Sequence, residues 1–414
     1  MGSRSLNKIL AMTEVIAMSV NDRPDQFTET KHCFEKPAST FMMLFAEDGS
    51  FLSADDFGIL GIGEAISDYA MWQRNGAILK HVFSDLELEM TETDGGVHLT
   101  CGPETVTAQG TTDGEAGTFV LKQGPAQLPS DHLRHLQQHG WVCLPSILAP
   151  EIVTGLQRIA CSDEFEGREP ELRRQIVQDV ALSKTAVEPL SLWLSRQYMK
   201  THEIKLAHAP GVNVLTTDDG KRAVQGWHSD YPYHWGINAA GKVPTPSGET
   251  VMGVQRIVCV SEYTAEGGAT AFKLGSHVHD RGPPENWGLA RDTYRPGHRA
   301  ENGLPYGGPD ADIIEAPAGS VIIFDTRTWH RAGINRQKKG RAALLMDTTP
   351  AYIIPYSDTG PDYQALLESE VHEQLSGVEQ RELRRLMVHR FLGPAGPQSV
   401  IGTNEILSET VPRE

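Results

Sequence analysis

Three scarcities narrow the field before any motif is read. There are only five cysteines (Cys33, Cys101, Cys143, Cys161 and Cys259), scattered and without a Cys-x-x-Cys pair. Neither a disulfide framework nor a zinc knuckle is expected, and the expected compartment is reducing, hence cytoplasmic. Long apolar runs are missing, for no segment approaches the roughly 20 residues of a membrane span. The first twenty residues are interrupted by Asn7, Thr13 and Glu14, which favours an amphipathic helix over a signal peptide. Positive charge is in deficit: 37 Lys and Arg stand against 54 Asp and Glu, a net charge of -17. Such a field repels nucleic-acid phosphates and anionic membrane surfaces, so neither partner is expected.

What is present suits a globular chain, with 39% hydrophobic and 22% charged residues over 414 positions, enough for two domains or for one large β domain with an appendage. Residues 36 to 72 have helix-like apolar spacing (Phe41, Leu44 and Phe45; then Ile66, Tyr69 and Ala70) around a break at Glu47-Asp48-Gly49. Leu86, Leu88 and Met90 then alternate with Glu87 and Glu89, and Asp94-Gly95-Gly96 turns the chain toward Val97 and Leu99, the signature of a strand pair. Gly124, Pro125 and Pro129 mark a domain boundary, followed by a helix over HLRHLQQH. Beyond Gly211, short β-branched segments bounded by Gly, Pro or Asp (VNVLTT, QGWHSD, TVMGVQRIVCV, ATAFKL, DIIEA, SVIIFD, RAALLMDTT) predict an antiparallel sandwich or jelly roll. A surface helix pair is expected over ESEVHEQLSGVEQRELRRLM.

Within that β region, QGWHSDYPY holds His228 and Asp230, which on a strand project to one face and can grip one ion. Composition alone can supply such a pair, so its setting decides. A second histidine, His330, ends the expected strand SVIIFDTRTWH. Two histidines and one carboxylate suit non-haem Fe(II), leaving positions open for a bidentate cosubstrate and dioxygen. Arg341 follows after RAGINRQKKG, which reads as a hairpin connection placing His330 and Arg341 at the same end of adjacent strands. A guanidinium there can hold a carboxylate by two parallel hydrogen bonds, as the distal end of 2-oxoglutarate requires.

These residues carry a family resemblance. WVCLPSILAPE, the Gln225-x-x-His228-x-Asp230 motif, GGATAFKLGSH and WHRAGINRQKKGR occur in order, and residues from about 130 to 350 resemble the phytanoyl-CoA dioxygenase family of iron(II)- and 2-oxoglutarate-dependent oxygenases. The resemblance implies a double-stranded β-helix (cupin-like jelly roll) with flanking helices over 127–414. It implies His228, Asp230 and His330 as metal ligands, and Gln225, Thr270 and Arg341 as 2-oxoglutarate contacts. It further implies decarboxylation of 2-oxoglutarate to succinate, with dioxygen consumed and a C–H bond oxidised by hydroxylation, desaturation or ring closure. Small molecules up to specialised metabolites are the substrates it implies. Lys273-Leu274 stands where family members often carry proline. The retained Asp230 disfavours halogenation, because related halogenases have a small residue there.

Residues 1–126 resemble, through FAEDG and GIGEAI and their pattern, the cone-shaped α+β fold of nuclear-transport-factor-like and polyketide-cyclase-like proteins. Such a front domain could mediate homodimer contacts. Tyr231, Tyr233, His234 and Trp235, directly after the metal pair, are expected to line a substrate pocket. The rival reading is a cupin-like isomerase or ligand-binding module that does not consume 2-oxoglutarate, which has no reason to keep Arg341 with Gln225. His202 and His208 in HEIKLAH are six apart, not the four of a zinc-protease helix. His277 and His279 are read as part of a structural turn, and His132 and His135 as the solvated side of a helix. The stretch from His279 to Asp310, too long for a plain connection, is expected to be a lid or disordered.

Overall fold

A computed structural model describes residues 29–237, 250–304, 307–308, 310–393 and 396–401, with side chains described to 389. The expected N-terminal amphipathic helix lies outside the described residues.

Two packed sheets form the jelly roll. Its strands are β1 (Glu29–Cys33), β2 (Trp141–Leu144), β3 (Ile204–Leu206), β4 (Gly211–Leu215), β5 (Val254–Cys259), β6 (Ala271–Lys273), β7 (Ala311–Glu315), β8 (Val321–Asp325), β9 (Trp329–Arg331) and β10 (Arg341–Pro350). One sheet has the order β1-β7-β6-β9, and the other β2-β8-β5-β10-β3 with β4 also paired to β10. Between the sheets lie Trp141, Ile257, Cys259, Phe272, Ile313, Ile322, Phe324 and Ala343, all buried. The opposite face of the second sheet, with Val142, Val254, Val258, Ile323, Leu344 and Met346, packs on a helical layer. That layer includes α1 (Pro129–His139), α2 (Pro150–Ala160), α3 (Val180–Ala186) and α4 (Pro189–Met199). Burial on both faces makes these strands read as near-continuous apolar runs rather than alternating ones.

The front segment departs from the sequence expectation. Residues 42–123 form a nine-stranded antiparallel sheet, and helix is limited to one 3-10 turn at Asp68–Ala70. The sheet curls back on itself: Val120–Gln123 pairs with Met42–Phe45, and Val97 bridges to Phe119. Inside the curl sit Leu44, Leu52, Trp72, Leu79, Leu88, Leu99 and Phe119, while Met43, Phe45, Phe51, Ile66 and Met71 face the helical layer and join its core. A strand apolar on both faces has no period-2 signal, and over four residues its spacing is easily taken for a helix. The expected α+β cone is thus replaced by a curled β sheet. The predicted pair Glu87–Thr93 and Gly96–Cys101 is present, with Met90 opposite Leu99.

Two further corrections concern long-range placement. Glu29–Cys33, read from sequence as part of the front domain, adds in parallel to β7 of the jelly roll, a pairing no local pattern encodes. The stretch from 279 to 310 is not a structureless loop. It holds short helices at Ala290–Thr293 and His298–Asn302, and it covers the metal strand through Trp227, whose indole N–H donates to the Gly307 carbonyl and whose backbone N–H donates to Gly288.

His132, expected on a solvated helix face, is only 4% exposed, and burial presses its imidazole down from 6.5 to about 4. As pH falls, the unfolded chain therefore takes up this proton first. His132 supports the fold fully above about 6.5 and loses that contribution as pH falls toward 4. Urea denaturation of His132→Leu across pH 4 to 7 is expected to show a shallower loss of stability than wild type; an unchanged slope would mean that His132 does not titrate as a buried neutral group.

Candidate metal centre

The metal-ligand candidates are assembled by backbone pairing. Residues 225–230 run beside β9 as an irregular strand, in which the His228 N–H donates to the His330 carbonyl and the His330 N–H returns the bond, each at 2.9 Å. On one side the Ala332 N–H donates to Gln225; on the other the Asp230 N–H donates to Thr326. Directly opposed residues share a face, and the two imidazole centroids lie 4.2 Å apart. SVIIFDTRTWH is not one strand as expected. It breaks at Thr326–Thr328, so that β8 and β9 belong to different sheets. The break is held by Asp325, fully buried, which accepts bonds from Arg327 N–H, Nε and Nη2 at 2.9, 2.9 and 2.6 Å and from the Tyr198 hydroxyl at 3.0 Å.

Each ring is oriented from behind. His228 Nδ1 lies 2.8 Å from the Gly226 carbonyl and His330 Nδ1 2.9 Å from that of Thr328. A carbonyl only accepts, so both Nδ1 atoms carry the proton and both Nε2 lone pairs turn inward. There Asp230 Oδ1 lies 3.8 Å from His228 Nε2, and Oδ2 lies 3.4 Å from His330 Nε2. One donor atom from each of the three residues lies within 4.8 Å of the others. Burial and the neighbouring His330 press His228 down to about 3. Burial works to raise Asp230, but the facing imidazoles outweigh it and hold the carboxyl below its ordinary range. Burial also lowers His330, yet the Asp230 charge prevails and leaves it raised. Asp230 Oδ2 is buried without a hydrogen-bond partner, an arrangement that a divalent cation satisfies and a folded core avoids. The donor set fits Fe(II) with open positions remaining.

The cosubstrate candidates meet at a residue the sequence did not single out. Arg341 and His330 are not on adjacent strands, because the connection crosses from one sheet to the other. Arg341 reaches instead over the ring of Tyr263, 4.6 Å from its centroid, and its Nη2 donates to the Gly268 carbonyl. The Tyr263 hydroxyl is 2.8 Å from Thr270 Oγ1, so Thr270 and Arg341 flank one aromatic ring. Arg341 Nε is buried and unbonded. No local sequence signal marks Tyr263, since its role comes from a loop folding back.

The four expected pocket residues separate. Tyr231 and His234 cluster with the exposed Tyr356, at centroid distances of 5.9 and 5.6 Å. Tyr233 and Trp235 instead pack on each other and on Met252 in a small core. His277 is buried beside Gly140, and its turn holds β9 through Ser276, whose hydroxyl accepts from the Trp329 N–H. A cleft of about 940 Å³ lined by Phe45, Lys122, Trp193 and Arg196 lies between the front sheet and the helices and contains none of these residues. The ligand geometry, not cavity size, therefore locates the centre.

A jelly roll with an inward two-histidine, one-carboxylate face has the donor set of a mononuclear non-haem metal site. The model of the phytanoyl-CoA dioxygenase family matches residues 136–343, half of the chain. The chain belongs to that family. It is 24% identical over 286 residues to the dioxygenase af480 of Aspergillus fumigatus, covering 64% of this chain and 78% of that protein. It is 28% identical over 158 residues to the dioxygenase olcK of Penicillium canescens, covering 38% of this chain and 43% of that one. The crystal structure of the epimerase SnoN in complex with Fe3+, alpha ketoglutarate and nogalamycin RO shares 15% identity with it at a TM-score of 0.38, over 54% of this chain and 84% of that one.

Because a ligand that binds only the folded state raises stability, anaerobic Fe(II) is expected to raise the melting temperature of wild type and not of Asp230→Ala or His330→Ala. An equal rise in those variants would place the metal elsewhere.

Proposed function

We propose that this chain is an iron(II)- and 2-oxoglutarate-dependent dioxygenase that oxidises a C–H bond of a small organic substrate by hydroxylation, desaturation or ring closure. His228, Asp230 and His330 hold the metal; Arg341, Thr270 and Gln225 hold 2-oxoglutarate. The observation that carries the reading is the Asp230 carboxylate, one oxygen of it buried and unbonded, set against two inward Nε2 atoms. Iron with 2-oxoglutarate and dioxygen supplies an oxidant able to take hydrogen from an unactivated C–H bond. The chain's own residues position and enclose.

Arg341 offers its free Nε–H toward a carboxylate, and Tyr263 lies against its guanidinium and bonds the Thr270 hydroxyl. Gln225 stands three residues before His228, on the strand that carries the metal pair. Trp227, fully buried, ties that strand to the segment 288–307 and excludes water from behind. Tyr231 and His234 lie on the substrate side. The five cysteines are all unpaired, which suits the reducing cytoplasm; among the described residues no helix is long and apolar enough to cross a membrane.

Anaerobic addition of Fe(II) and 2-oxoglutarate is expected to produce the weak visible charge-transfer band of the chelate. Arg341→Ala loses a charge-assisted bond of about 1.5–3 kcal/mol, so it should need about 10- to 100-fold more 2-oxoglutarate for the same band. Absence of the band in wild type, or identical titrations for the two proteins, would refute the assignment and favour the cupin-like alternative.

A further inference from the structure

The inner face of the second sheet carries a polar pair that neither the metal nor the cosubstrate uses. Trp141, Phe324, Gln255 and Asp347 stand in register across β2, β8, β5 and β10, and directly opposed residues project to one face. The row passes beside the metal centre, where the Phe324 ring packs on His330 at 5.4 Å between centroids. At its far end Asp347 is 8% exposed, its Oδ1 buried without a hydrogen-bond partner, and its Oδ2 is 4.0 Å from His208 Nε2. Gln255 Oε1, next to it, is likewise buried and unbonded. Each such acceptor costs about 1–3 kcal/mol. Two side by side, facing inward beside a metal centre, are what a site retains when its ligand brings the donors.

β10 supplies a second, independent argument. Arg341, Ala343, Leu345 and Asp347 share its inner face, and six residues of strand put Arg341 and Asp347 about 20 Å apart. A five-carbon diacid held at Arg341 does not reach Asp347. The groups around Asp347 belong to the metal and the opening. Burial and the Asp230 charge push its carboxyl well above the usual range, and its own charge joins burial in raising Tyr231. Tyr231 donates to the Ile354 carbonyl and touches Tyr356, which is 66% exposed.

We propose that Asp347, with Gln255 beside it, is the substrate anchor: a specificity-determining pair for molecules that donate hydrogen bonds through a hydroxyl or ammonium group, holding the neighbouring C–H bond toward the metal. The proposal rests on the dioxygenase reading above. Asp347→Leu would keep the branched shape and lose the acceptor; Asp347→Asn would keep an acceptor and lose the ionisable group.

The test uses the full chain with Fe(II) and 2-oxoglutarate under anaerobic conditions, and cyclohexanol, cyclohexylamine and cyclohexanecarboxylate as probes, with binding read from perturbation of the visible band and by calorimetry. The alcohol or the amine is expected to bind and the carboxylate not to. Asp347→Leu should weaken the bound donor about tenfold or more, with the band and its 2-oxoglutarate dependence retained. An ammonium probe would ionise Asp347 as it binds, so Asp347→Asn separates the sources, keeping the alcohol and weakening the amine. Equal binding of the carboxylate, binding of neither donor, or undiminished donor binding in Asp347→Leu would overturn the proposal. Asp347→Asn should also melt no lower than wild type, since a buried carboxyl with one unbonded oxygen is removed; a lower melting temperature would mark Asp347 as a structural group and overturn the anchor. If wild type gives no band at all, the dioxygenase reading fails first, and that outcome is seen before any probe is added.

Discussion

The reciprocal pair of backbone hydrogen bonds between His228 and His330 is the constraint on which the centre depends. It joins two segments a hundred residues apart, fixes their register, and sets both imidazoles on one face at 4.2 Å. A slip of one residue would turn either ring to the other side of the sheet. The flanking bonds, Ala332 to Gln225 and Asp230 to Thr326, leave the pair no freedom to slide. Asp230, two residues beyond His228, then comes to the same face with no further device.

Behind this pairing stands a buried ionic clamp. Asp325 binds Arg327 three times and Tyr198 once, in a turn where the chain leaves one sheet and enters the other. A charge buried there is tolerated because each of its oxygens is paired. The contrast with Asp230 and Asp347 is informative. Asp325 is satisfied by the protein, whereas Asp230 and Asp347 each keep a buried oxygen that the fold leaves unbonded.

The candidates for the chemistry are legible in the sequence, because metal ligation and carboxylate recognition demand particular residue types. His228, Asp230 and His330 converge, and Thr270 and Arg341 meet at one ring. The route was less legible. A plain hairpin between His330 and Arg341 was expected, whereas the chain changes sheets, and Tyr263 supplies the link from seventy-eight residues upstream of Arg341. The front segment was misread as helical because Met43, Leu44 and Phe45 serve two cores at once. Burial on both faces erases the alternation by which a short strand is recognised.

From residue types and local pattern alone came the class of chemistry, the β character of the region beyond Gly211, and the candidates for metal ligation and carboxylate binding. These follow from residue type and from period-2 geometry, both local properties. Only the tertiary structure shows that Glu29–Cys33 completes the jelly roll, that Tyr233 and Trp235 pack as core while Tyr231 and His234 cluster with the exposed Tyr356, and that Gln255 and Asp347 stand together with unbonded oxygens. Each of these depends on cross-strand register and on which face of a sheet is enclosed, and both are settled by contacts between segments far apart in the chain.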